Sequence, residues 1–281
     1  MKQILVPTDF SEQADAALSL AAEMATANNA ELLVLHVVEI PGQQYFNTTG
    51  EMDHVDPMEA VWVKKMIEKG ESQLDDLHND DRLKGINLKT NIRAGNAYYN
   101  ISDIITEFEP DLIVMGTSGA TGAEEILIGS NTEKVVRNSK VPVLSLKEKM
   151  KLSDLEHVLL ASEMKDNGIE LVKRLKNIVE HSKAKIHLLR VNTPNNFEGS
   201  SATSKKMKAY VEKNGLEAEQ HIYNSATEEE GIMEFASDND IDLIAMGTHG
   251  RKGLMHLLSG SIAEDVVNHS KIPVLTFKIE D

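Results

Sequence analysis

Asp111-Leu112-Ile113-Val114-Met115-Gly116-Thr117 returns later in the chain as Asp242-Leu243-Ile244-Ala245-Met246-Gly247-Thr248. Val141-Pro142-Val143-Leu144 returns as Ile272-Pro273-Val274-Leu275, and both pairs lie 131 residues apart. Upstream the spacing changes. Ile4-Leu5-Val6 matches Val158-Leu159-Leu160 at 154 residues, so the first copy holds 23 more residues between its first and fourth strands. Register kept over such distances marks one structural unit written twice.

Working outward, short β-branched runs alternate with helical patterns. Strands are predicted at about 3–8, 31–38, 88–93, 111–116 and 141–146, then at 156–161, 184–191, 217–223, 242–247 and 272–278. Ala14, Ala17, Leu18, Ala21, Met24 and Ala25 fall on one face of the first helix, with Ser11 as its N-cap. Strands separated by helices imply parallel pairing through right-handed crossovers. The predicted fold is therefore α/β: two repeated doubly wound domains, over 1–147 and 153–281, joined by a short polar linker. A linker so short favours close packing of the two.

The 281 residues suit two domains, and 41% hydrophobic with 26% charged content is ordinary for globular protein. No apolar run is long enough for a membrane span or a signal-peptide core, which makes cytoplasmic residence the expectation. With no cysteine, disulfides, thiolate metal sites and cysteine nucleophiles are excluded. A net charge of −16 argues against nucleic acid as a partner. The first half is the more acidic, with 12 basic against 23 acidic residues over 1–147.

Beyond each fourth strand lies the chemistry-bearing motif. Gly116-Thr117-Ser118-Gly119 is followed after nine residues by Gly129-Ser130, and Gly247-Thr248-His249-Gly250 after nine by Gly260-Ser261. Glycines let backbone approach an anion, and a helix start offers unpaired N–H groups at a positive dipole end. Ligands bind at this edge of open α/β sheets. A plain tight turn would explain one such loop; identical spacing in two weakens that explanation. The pattern is neither a GxxxxGK(S/T) loop nor an early GxGxxG.

Ile4-Leu5-Val6-Pro7-Thr8-Asp9-Phe10-Ser11, the Leu35-His36-Val37 strand end and the G-x2-G-x9-G-(S/T) loops resemble the universal stress protein family over nearly the whole chain, twice. The resemblance implies five-stranded parallel sheets of order 3-2-1-4-5 that pair through their last strands. Here that would be an intramolecular contact of Pro142–Leu146 with Pro273–Phe277, with a homodimer a further option. It also implies ATP or another adenine nucleotide, with or without magnesium, as ligand. In the first copy the carried-over residues are Pro7, Thr8, Asp9 and Val37 with Met115, Gly116, Gly119, Gly129, Ser130 and Asn131. In the second they are Ala161, Ser162, Glu163 and Val191 with Met246, Gly247, Gly250, Arg251, Gly260, Ser261 and Ile262.

Each copy departs from the pattern. The first keeps Pro7-Thr8-Asp9, but its loop carries Glu124 and Glu125 and lacks a basic residue after Gly119. Each carboxylate–phosphate pair would cost on the order of a few kcal/mol at an effective ε near 20, unless these side chains face solvent. The second has Gly250-Arg251-Lys252-Gly253, where Arg251 suits phosphate oxygens. Its nucleoside end reads Ala161-Ser162-Glu163, and Arg190 replaces His36. Glu163 either reaches the ribose or fills the site. ATP is expected in the second copy, and a less charged adenine ligand or none in the first.

The extra residues of the first copy are expected as a loop over about 40–62, either a lid or a surface segment. Within it Asp53, His54 and Asp56 lack the spacing of a strong metal site, and no structural metal is expected. His36 and His249 read as hydrogen-bonding residues in preference to general bases. Three readings remain open: a regulatory nucleotide-binding protein of stress adaptation, a weak ATPase, and a nucleotide-independent interaction module. No nucleophile–base pair is evident, and holding phosphates is not cleaving them.

Overall fold

The computed structural model describes residues 1–40, 57–117, 129–164, 168–249 and 262–279. The first copy runs β1 (Gln3–Thr8), α1 (Glu12–Asn28), β2 (Glu31–Val38), α2 (Pro57–Leu77), β3 (Asn87–Ala94), α3 (Ala97–Phe108), β4 (Leu112–Gly116), α4 (Ser130–Asn138) and β5 (Val143–Leu146). The second runs β6 (His157–Ala161), α5 (Gly168–Val179), β7 (Lys185–Asn192), α6 (Ser200–Lys213), β8 (Glu219–Asn224), α7 (Glu228–Asp238), β9 (Leu243–His249), α8 (Ile262–His269) and β10 (Val274–Ile279). All ten strands form one sheet, ordered β3-β2-β1-β4-β5-β10-β9-β6-β7-β8. Each half is parallel and has the 3-2-1-4-5 order.

Alternation along each strand divides the core into two layers. Ile4 and Val6 face α1, while Leu5 faces α3 and α4; Val158 and Leu160 face α5 and α6, while Leu159 faces α7 and α8. Ser11 caps α1, its Oγ accepting from Ala14 N at 3.2 Å. The expected face of α1 is buried, but so are Ala16, Leu20 and Ala22. This helix is covered on a second side by the 3-10 turns Asp81–Leu83 and Leu152–Asp154. Its alanines let it come close: a Cβ on Gly116 would lie 2.4 Å from the carbonyl of Gln13.

The two halves meet where β5 and β10 pair antiparallel, Leu144 opposite Leu275. These residues are counterparts, so a local two-fold axis passes between them, as in an isologous dimer. Ser145 Oγ donates to Val274 O at 3.1 Å, and its counterpart Thr276 Oγ1 donates to Val143 O at 3.3 Å. Both hydroxyls are buried. Beside the seam the symmetry breaks. Arg137 grips the buried Glu264 with Nε to Oε1 at 2.7 Å and a second contact from Nη2, and also bonds Glu133. The position corresponding to Arg137 is Asn268, so the bridge forms once.

The extra length of the first copy is spread more widely than a single loop over 40–62. Pro57 to Trp62 begin α2, which has 21 residues against 14 in its counterpart α6. The connection from α2 to β3 is also longer than that from α6 to β8. Trp62 lies on α2 and is 43% exposed. The aromatic and Asp53–Asp56 part of the expected loop falls outside the described residues. Among the described residues no helix is long and apolar enough to cross a membrane.

Candidate functional site

At the carboxyl end of β1 the chain makes a tight turn held by its own side chains. Thr8 Oγ1 accepts from Phe10 N at 3.0 Å, and Asp9 Oδ1 accepts from Ser11 N at 2.9 Å. Phe10 takes a left-handed φ of 61°, costly for a side-chain-bearing residue and concentrated at functional turns. Its ring packs on His36, with centroids 4.8 Å apart. His36 Nδ1 lies 2.8 Å from Thr8 O. A carbonyl only accepts, so Nδ1 carries the proton and His36 braces the turn.

The second copy builds the same turn from different letters. Ser162 Oγ accepts from Met164 N at 3.0 Å, and Met164 has φ 57°. Glu163 thereby stands where Asp9 stands. Hydroxyl at one position and left-handed backbone two residues later survive the change from Pro-Thr-Asp to Ala-Ser-Glu.

In the first copy three strand ends and one helix start converge. β1 lies between β2 and β4, all parallel. Thr132 Oγ1 donates to Gly116 O at 3.3 Å, tying the first turn of α4 to the end of β4. Asn131 Nδ2 donates to Glu39 Oε1 at 3.1 Å, reaching the end of β2. The first turn of α4 thus links the end of β4 to the residue after β2, across the end of β1. Its N-cap is Gly129, which has no side chain to cap the helix. Asp9 and Ser130 are exposed, Pro7 and Val37 half-buried.

Several carried-over residues sit differently from a ligand wall. Met115 and Met246 are each 5% exposed in the α3/α4 and α7/α8 layer. Gly116 is glycine because α1 packs against it, which is a different reason from close approach to an anion. Thr117, between the loop glycines, turns inward, its N–H bonding Leu146 O at 2.9 Å. Gly119, Gly250, Arg251, Gly260 and Ser261 lie outside the described residues, as do Glu124 and Glu125. Gly247 is half-buried and Ile262 exposed, both at the second copy's corresponding edge.

The second copy's β7 end is more filled. Val191 is 6% exposed, and a Cβ on Gly231 of α7 would stand 2.5 Å from its Cγ1. Arg190 is buried, its Nη2 donating to Asn196 Oδ1 at 2.7 Å. Asn192 exchanges hydrogen bonds with the backbone of Glu198, folding 193–199 back onto the strand end. The sequence shows the replacement of His36 by Arg190 but not that the guanidinium turns inward to a loop amide.

A further cluster escaped the sequence reading. His157, His187 and His221 lie in a row across β6, β7 and β8, at the amino ends of these strands, with Glu219 beside them. They are far apart in sequence. Only strand register brings them together.

The fold and strand-end geometry define a class: tandem α/β domains, each a parallel half-sheet whose first strand ends in a tight turn held by its own side chains. The universal stress protein family model matches residues 1–147 and again 155–278, and the chain belongs to that family. Universal stress protein MJ0577 of Methanocaldococcus jannaschii is 33% identical over 155 residues, covering 53% of this chain and 96% of that protein. Universal stress protein Slr1230 of Synechocystis is 25% identical over 292 residues, spanning 99% of this chain and 100% of its own length. The crystal structure of a universal stress protein from Archaeoglobus fulgidus superposes with a TM-score of 0.78 at 25% identity, covering 99% of this chain and 98% of that one.

Proposed function

We propose that this chain is an adenine-nucleotide-binding regulatory protein of the stress response, acting by binding and not by turnover. The observation that carries the reading is the side-chain-locked turn after the first strand of each copy. In the first copy it fixes the exposed Asp9 carboxylate at the carboxyl end of β1, the sheet edge at which α4 also starts. A carboxylate suits a ribose diol, and unpaired helix N–H groups suit a phosphate. Glu39 shares that edge, which favours a ligand of low negative charge in the first copy. ATP is assigned to the second copy, where Arg251 supplies a charge partner. His36, spent on Thr8 O, is not placed to act as a base.

Calorimetric titration of the full chain with ATP and AMP tests this. Arg251→Ala should weaken ATP ten- to a hundredfold, as expected for losing about 1.5–3 kcal/mol of charged hydrogen bonding, and AMP less. Asp9→Ala should remove a second, weaker site. Wild-type protein that binds neither nucleotide, with a melting temperature unmoved by excess ATP, would refute the reading.

A further inference from the structure

We propose that the second copy carries a divalent transition-metal site, of the kind that takes Zn²⁺, ligated by His187, His221 and Glu219 and oriented by His157. The three ligand atoms form a compact triangle. His187 Nδ1 is 3.1 Å from His221 Nε2 and 3.6 Å from Glu219 Oε2, and the latter two are 3.9 Å apart. A point equidistant from all three and about 0.5 Å out of their plane lies about 2.1 Å from each, the bond length zinc makes to imidazole nitrogen and carboxylate oxygen. Two imidazoles and one carboxylate are a donor set that leaves the fourth tetrahedral position to water or a ligand. Among the described residues this is the one grouping of three such donors within 4.8 Å of one another.

Hydrogen bonding around the triangle fits the role. His187 Nε2 is 3.0 Å from His157 Nδ1, so His187 can donate from Nε2 and present the Nδ1 lone pair to a cation. Such an outer partner is what fixes a ligating imidazole's tautomer. Phe235 closes the far side, its ring 4.9 Å from that of His221, while Glu219 opens to solvent. Lys185 is near enough to oppose a cation, and Glu219 offsets it.

The first copy is an internal control. At the corresponding register positions it places Gln3, Leu33, Lys89 and Asn91, with Leu33 1% exposed in the core. The second copy buries His187 to 6% exposure where its twin keeps a leucine. Burying an imidazole there costs desolvation, and four coordinated replacements in one patch are what a ligand would select. The cluster sits about five residues down β7 from the opposite rim, roughly 16 Å from the nucleotide edge of that half.

Equilibrium dialysis of chelator-treated full-length protein against Zn²⁺, with Co²⁺ absorption spectra in parallel, tests the site. One Zn²⁺ per chain is expected, with a Co²⁺ visible band of tetrahedral intensity. Glu219→Gln and His221→Gln should each weaken binding tenfold or more while the circular dichroism melt stays close to wild type. His54→Gln should leave the affinity unchanged. Absence of binding at millimolar Zn²⁺ would overturn the proposal. So would undiminished affinity in both site variants, or loss of binding on replacing His54.

Discussion

Glycine-to-alanine replacement at four positions provides a graded test of the packing. At Gly116 the added Cβ would sit 2.4 Å from Gln13 C and O and 2.7 Å from Ala14 N. These are backbone atoms in the first turn of α1, so relief requires moving a buried helix by about 1 Å, to ordinary contact near 3.4 Å. Overpacking of this kind typically costs 1–3 kcal/mol, and a backbone obstruction puts Gly116→Ala at the upper end, about 3 kcal/mol. The melting midpoint should then fall by roughly 6–12 °C. At Gly231 the obstacle is Val191 Cγ1 at 2.5 Å, a stiff β-branched side chain. Alanine's helix propensity returns about 1 kcal/mol there, for a net loss of about 1 kcal/mol. Gly70 in α2 meets Ile92 Cδ1 at 2.8 Å, which can shift, but also His36 Cδ2 at 2.7 Å on a ring held by Thr8 and Phe10, so after the same propensity gain a net loss of about 1 kcal/mol is expected. Gly199 has nothing within 4 Å, and its alanine variant should stay within about 0.5 kcal/mol of wild type. Thermal and urea melts of all four, followed by circular dichroism, rank them. A Gly116→Ala protein melting within a degree of wild type, or ranking above Gly199→Ala, would refute the close approach of β4 to α1.

Two other perturbations probe the seam. Arg137→Ala deprives the buried Glu264 of its guanidinium and should cost about 2 kcal/mol, less than a fully buried pair because Arg137 is 35% exposed. Joint replacement of both by Met should recover most of that loss in urea melts. Burial pushes the Lys147 ammonium down to about 8 from an ordinary 10.5. Unfolding therefore takes up a proton, so the penalty is full below about pH 8 and disappears as pH rises toward 10.5. Partial exposure limits it to about 1 kcal/mol. Stability relative to Lys147→Met should rise between pH 8 and 9.5; a flat difference would contradict the burial.

How far the sequence reaches depends on whether a feature is local or made by register. The strands were legible because apolar runs and repeated motifs are local signals, and every predicted strand falls within two residues of the observed one. β5 begins at Val143 because Val141 and Pro142 lead into the strand without joining its ladder, though Pro142 still accepts from Ile113 N at 2.9 Å. Ser11 as a cap was legible for the same reason. The reason for Gly116 was not: its constraint comes from a helix a hundred residues away in sequence. Arg190 was visible as a substitution, but its inward turn to Asn196 depends on how 193–199 folds back. The histidine row was invisible to motif spacing. Laying the two copies over one another strand by strand, and asking where one places histidine and the other leucine, would have exposed it.

Because β5 and β10 consume each other's edges inside a single chain, the pseudo-dimer is assembled at a fixed ratio of one to one, independent of concentration. In a true homodimer every substitution arrives on both sides at once. Covalent linkage releases that constraint. One half is free to carry residues its partner lacks, as the single Arg137–Glu264 bridge and the one-sided histidine row illustrate. The antiparallel seam also points the two carboxyl rims in opposite directions. Whatever each half recognises, it meets from its own side of the molecule.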